Sequence, residues 1–116
     1  MQYMLLVYGD DRLWEELPGD EAARLDDARD IWAQELVKSG HLRGMAGLHP
    51  ASTATTLRRK DGQLVITDGP FAEAGEMLGG YQMVECSNLD EAIAIAARFP
   101  ALRAGFSMEV RPVMPQ

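Results

Sequence analysis

The sequence predicts an α+β sandwich of ferredoxin-like type carrying one extra hairpin, and three observations predict it. Hydrophobic periodicity and turn residues alternate in the order strand, helix, strand, hairpin, strand, helix, strand. The first strand is apolar on both faces, so the sheet asks for cover on each side. The chain has 116 residues, 47% of them hydrophobic and 25% charged. That is enough for one domain, residues 1–116, with a core that needs no metal or disulfide staple.

From the N-terminus, residues 2–8 set Tyr3, Leu5 and Val7 against Met4, Leu6 and Tyr8, and Gly9-Asp10-Asp11 ends the strand. The acidic stretch after it, with Asp10, Asp11, Glu15 and Glu16, is predicted as a loop. Asp20 is placed to cap a helix over 21–39, with Leu25, Ala28, Trp32 and Leu36 on one stripe and Gly40 as its stop. Residues 42–47 form a second strand, weakened by Gly44 and Gly47. Residues 53–59 and 63–67 flank Lys60-Asp61-Gly62, where Asp-Gly supplies the positive φ of a tight hairpin. A turn-rich loop is predicted over 68–79 and a strand over 80–86. Asn88 and Glu91 make a capping box for an alanine-rich helix that ends before Pro100. Residues 108–111 are the last strand, closed by Pro112.

Two helices cover one face of such a sheet. The economical cover for the other face is a second copy of the chain, so a homodimer is expected.

Charge narrows the partners. Lys and Arg number 11 against 18 Asp and Glu, a net charge of −7, which speaks against nucleic acid and its demand for a basic face. The short basic stretch Arg58-Arg59-Lys60 lacks aromatics on which bases stack. Nine carboxylates and three arginines lie between Asp10 and Asp30, which reads as a solvated face or as an acidic docking patch. No apolar run approaches the ~20 residues that span a bilayer, and no membrane role is expected. A single cysteine and an N-terminus without a basic leader make the expected location cytoplasmic.

Asp68-Gly69-Pro70-Phe71-Ala72-Glu73, followed by Leu78-Gly79-Gly80-Tyr81, resembles the signature of the DGPF proteins, a branch of the YCII-related family. The opening MQYMLLVYG, the stretch Ala54-Thr55-Thr56-Leu57 and the ending Glu109-Val110-Arg111-Pro112-Val113 agree with it, so the likeness spans essentially the whole chain. The resemblance implies a ferredoxin-like fold that pairs as a dimeric α/β barrel. It implies little about chemistry. Some members resemble proteins encoded beside, or fused to, alternative sigma factors, and other relatives resemble small-molecule lyases that use a histidine of the first helix with an aspartate. Here that helix, residues 21–39, holds no histidine, so the dyad does not carry over. Ala74-Gly75 also stands where the family often places Thr-Lys.

Five residues are the pocket candidates: Asp68, Phe71, Tyr81, Arg111 and His49. Asp68, at a strand end before Gly-Pro, suits an Asx-turn or a ligand-facing carboxylate. Phe71 is a core plug or a stacking platform. Glu73 and Glu76, three apart, suit acid–base work only if one is buried. Arg111 shares a strand face with Glu109 and needs an anionic partner, either an internal carboxylate such as Asp68 or a bound acid. His49 suits proton transfer or is simply solvated, and Cys86, ahead of a helix N-terminus, is a packing residue or an activated thiol. His41 and His49 lack Cys or carboxylates at ligand spacing, so no metal is expected, and no nicotinamide or flavin signature is present.

Two functions follow. One is a small-molecule pocket near the DGPF loop, for an anionic ligand if Arg111 is a clamp, with catalysis undecided between binding and a cofactor-free lyase-like or proton-transfer step. The other is a non-catalytic regulatory module that docks a protein partner such as a sigma factor.

Overall fold

Four strands form one antiparallel sheet in the order β2 (Leu42–Gly47), β5 (Met77–Glu85), β1 (Gln2–Gly9), β6 (Ser107–Pro112). The computed structural model describes residues 1–71 and 75–116. Two helices, α2 (Glu21–Lys38) and α3 (Leu89–Ala97), pack on one face of this sheet, and β3 (Thr55–Lys60) with β4 (Gln63–Asp68) forms a separate two-stranded ribbon. The order β6-β1-β5-β2 with two crossing helices is the ferredoxin-like arrangement the element order predicts.

The period-2 pattern of β1 decides where the core sits. Tyr3, Leu5 and Val7 are buried beneath the helices, while Met4, Leu6 and Tyr8 remain half-buried on the other face. Val84 opposes Tyr3, and Gln82 opposes Leu5, so β5 continues the same inward row. Trp32, Ala33 and Leu36 of α2 close over it, and Ala92, Ile95 and Ala96 of α3 do the same. Trp32 donates its indole N–H to the Ile95 carbonyl at 3.1 Å and meets the Phe99 ring edge-on at 5.2 Å, which locks the two helices together.

The helix ends follow their local chemistry. Gly40 and His41 donate to the carbonyls of Val37 and Leu36, the paired bonds of a Schellman stop. Asn88 Oδ1 accepts the Glu91 N–H at 2.9 Å, while Glu91 Oε1 reaches back to the N–H of Ser87 at 3.2 Å. Asp20 does not cap α2: its carboxylate is 3.3 Å from Arg24 instead, because its backbone is not extended as a side-chain cap requires. The stretch predicted as an acidic loop contains a helix, α1 (Asp11–Glu15). Asp10 caps it through the Arg12 N–H at 2.9 Å, and Trp14 anchors it edge-on to Phe106 at 6.3 Å. Five residues are too few for a visible hydrophobic period, and the acidic composition of the stretch points to a loop.

Asp61 and Gly62 have φ of 53° and 80°, the left-handed pair that a two-residue hairpin turn needs. Thr55, rather than Thr53, opens β3, because residues 51–53 wind into a 3-10 turn. β5 begins at Met77, three residues ahead of the predicted Gly80, so the loop after the DGPF motif is shorter than its glycines suggest.

Candidate functional site

The helix layer leaves a gap over the sheet. Between α1, α2 and the strands β2 and β5 lies a cavity of about 700 Å³. This is the size of small-molecule sites, roughly 300–1,000 Å³.

Its walls come from three places. Leu25, Asp26, Arg29 and Asp30 share one flank of α2, as positions one helical turn apart do. Asp11, Trp14 and Glu15 enter from α1. Phe99, Ala101 and Phe106 arrive from the segment between α3 and β6. Phe106 can lie there because Gly9 has no side chain: a Cβ at that position would fall 2.3 Å from the ring. Val7, Gly80 and Gln82 contribute from the sheet, and Leu48, His49 and Pro50 from the turn after β2.

The polar group of greatest consequence is Gln82. It is 3% exposed, sits between Leu5 and Met45 in the sheet register, and among the described residues its Oε1 has no hydrogen-bond partner. A buried amide oxygen left unpaired costs on the order of 1–3 kcal/mol. Gln82 lines the cavity, while that oxygen is itself closed to solvent. Arg29 is the one lysine or arginine of the lining, and its Nη2 lies 3.2 Å from Asp26 and 3.8 Å from Asp30.

The five sequence candidates are distributed over three parts of the molecule. His49 lines the cavity, on its exposed rim. Tyr81 and Arg111 lie on the sheet face opposite the helices, in register with Leu6 and Met4 respectively. Asp68 ends β4 in the separate ribbon, and Phe71 follows it. The reading of Phe71 as a core plug is corrected, since 73% of it is exposed and its ring lies 5.8 Å from the Arg58 guanidinium. The DGPF turn is held through the backbone of Gly69, whose N–H donates to Ala54 O and whose carbonyl accepts from the Thr56 hydroxyl, both at 2.7 Å.

Arg111 is exposed on β6 rather than forced into an apolar interior, because its strand is the sheet edge and its face is the uncovered one. Among the described residues no ion pair joins it to Asp68 or to Glu109. Glu73 lies outside the described residues, and Glu76 accepts a hydrogen bond from Ser107 Oγ at 2.9 Å. Pro70 and Gly75 of the DGPF loop line a smaller cleft of about 380 Å³ that shares Asp11 with the main cavity.

Two groups with chemical potential lie elsewhere. Burial pushes the Cys86 thiol above its usual pKa, and the Glu91 carboxylate adds to that, the opposite direction from an activated thiolate. His41 bridges Ser39 Oγ at 2.6 Å and Glu91 Oε1 at 3.2 Å, joining the end of α2 to α3. Among the described residues no cluster of three or more His, Cys, Asp or Glu side chains is placed to hold a metal ion.

Sequence reasoning passed over Gln82, Trp14, Arg29 and Phe106. Gln82 did leave a signal, as the one polar side chain on the inward row of β5.

A model of the YCII-related domain matches residues 1–116. The chain belongs to the YCII-related family. An uncharacterised protein of Rhizobium meliloti (strain 1021) is 36% identical to it over 116 residues, spanning 97% of this chain and 92% of the relative. Among solved structures, 5-chloro-2-hydroxyhydroquinone dehydrochlorinase (TftG) from Burkholderia phenoliruptrix AC1100, in complex with 2,5-dihydroxybenzoquinone, superposes with a TM-score of 0.52. That likeness covers 98% of this YCII-related chain and 94% of TftG at 18% identity, and it speaks for the shared fold.

Proposed function

We propose that this YCII-related protein binds a small organic molecule in the cavity between α2 and the β2–β5 end of the sheet. The observation that carries the reading is the cavity itself, about 700 Å³ and walled by apolar and aromatic side chains such as Leu25, Phe99 and Phe106, with the buried Gln82 on its sheet side. That a protein of the same fold is a dehydrochlorinase solved in complex with 2,5-dihydroxybenzoquinone supports a small-molecule role. His49, the one imidazole on the lining, is the side chain suited to any proton transfer. Asp68, Phe71, Tyr81 and Arg111 lie off this cavity, so the geometry does not favour an anionic pocket built from them.

The proposal includes a cytoplasmic homodimer, with the sheet face opposite the helices closed by a second copy as in a dimeric α/β barrel. The DGPF stretch supports a place in that branch. The exposed apolar side chains of the β3–β4 ribbon favour, as a second reading, a docking role toward another protein.

Native mass spectrometry against a pooled metabolite extract tests the binding reading, with Gln82→Met as the control. A small molecule retained by the wild type and lost from the variant is expected. No retention, or equal retention by both, overturns the assignment of this cavity.

A further inference from the structure

We infer that the β3–β4 ribbon is a self-complementary contact through which one copy of this chain meets another, ribbon face against ribbon face. This contact is separate from the sheet face opposite the helices and goes beyond the small-molecule reading. The register decides which side chains share a face. Thr55 pairs with Asp68, Leu57 with Ile66 and Arg59 with Leu64, and strand alternation puts these three rungs on one side. Leu57, Leu64 and Ile66 are 59%, 51% and 63% exposed there. The opposite side is different: it presents Arg58, whose guanidinium lies 5.8 Å from the centre of the chain's own Phe71 ring.

An apolar face on its own does not name its occupant. The charges do. Leu57 and Ile66 form the middle rung, with Arg59 on the rung toward the turn and Asp68 on the rung at the base. Among the described residues neither charge belongs to an ion pair. A two-fold axis lying in the interface, across the middle rung, lays the tip rung of one ribbon over the base rung of the other. Each arginine then comes within reach of the other copy's aspartate, and the two ion pairs close opposite ends of one shared apolar patch. A contact of this symmetry needs a surface that is its own complement, and an apolar centre between opposite charges is one.

Edge-to-edge strand addition is the competing mode. It would leave Leu57, Leu64 and Ile66 in water, whereas contact between faces removes them from it. Three rungs make a small face beside the ~1,200–2,000 Å² that stable interfaces bury, so the contact is expected to be weak and to show as concentration rises.

Sedimentation velocity of the intact protein, from micromolar to millimolar concentration, tests this. The mass is expected to rise at least twofold across that range. The mass at the dilute end reports on the sheet face and the rise reports on the ribbon, so the two fail separately. Arg59→Asp and Asp68→Arg each set like charges against one another at both ends of the contact. Each variant alone is expected to weaken the association roughly tenfold. Mixed in equal amounts, the two variants again oppose unlike charges at both ends, and association at the wild-type level is expected to return. Loss of fold cannot produce that rescue. A mass that stays constant up to millimolar protein overturns the inference and leaves the ribbon face to a different protein. Association that persists unchanged in both variants, or that the mixture fails to restore, runs through a strand edge or another surface and overturns it as well.

Discussion

Gln82 occupies a place where β5 would otherwise offer a methyl-bearing side chain, between the inward positions of Gly80 and Val84. Its oxygen, unpaired among the described residues, is a cost to the fold. Gln82→Met keeps the length and removes the orphan, and is expected to raise stability by about 1 kcal/mol. Urea unfolding of the ligand-free proteins checks it, and a destabilised variant would mean the carboxamide has a partner after all. Cys86 makes a prediction with a defined sign. Its folded pKa is raised, so its contribution to stability is fully present below the unfolded value, about 8.5, and is lost as pH climbs toward the folded one. The urea midpoint of the wild type is expected to fall more steeply above pH 8.5 than that of Cys86→Ala, and parallel curves would assign the loss to other groups. Phe71 illustrates what a sequence conceals. An aromatic ring in a turn resembles an anchor, yet whether a core lies beneath it depends on where the hairpin goes. Since the ring is largely exposed, Phe71→Ala is expected to cost well under the ~3 kcal/mol of a buried plug.

Elements were legible where a local rule dictates them. The Asp61-Gly62 turn, the Gly40 stop and the Asn88 cap each depend on a few adjacent residues, and each appears where those residues put it. Asn88→Ala is therefore expected to lower stability by about 1 kcal/mol by releasing the Glu91 N–H, read as a shift in thermal midpoint. α1 was hidden because one turn has no period, and its stability comes from Trp14 meeting Phe106, which is far along the chain. The cavity was hidden for the same reason. Its lining is drawn from α1, α2, β2, β5 and the segment before β6, elements that only the 4-stranded topology brings together. Alternation in β3 and β4 was visible, but not that Leu57 and Ile66, paired across the ribbon, would both face solvent. Alternation tells which residues share a face and is silent on what that face meets.

At the scale of the whole molecule, the protein is spread out for its length. Its radius of gyration is 16.1 Å, against about 13 Å for a compact chain of this size, and its shortest extent is 18 Å. These dimensions belong to one sheet under one helix layer, with the β3–β4 ribbon standing apart. Leu57, Leu64 and Ile66 are each more than half exposed on one face of that ribbon, and a two-stranded hairpin is marginal when nothing covers it. Met4, Leu6, Tyr81 and Met83 form a second partly open apolar surface, on the sheet face away from the helices. The proposed second copy would close the sheet face, and light scattering at micromolar concentration is then expected to give twice the 12.8 kDa chain mass. The two faces of β1 separate association from folding. Leu5 is fully buried, so Leu5→Asp places a charge in the core and is expected to abolish the fold. Leu6 lies on the open face, so Leu6→Asp is expected to leave a folded monomer, with native helix content and half the scattering mass. A wild type that scatters as a stable monomer, or a Leu6→Asp variant that remains dimeric, would remove the second copy from that face.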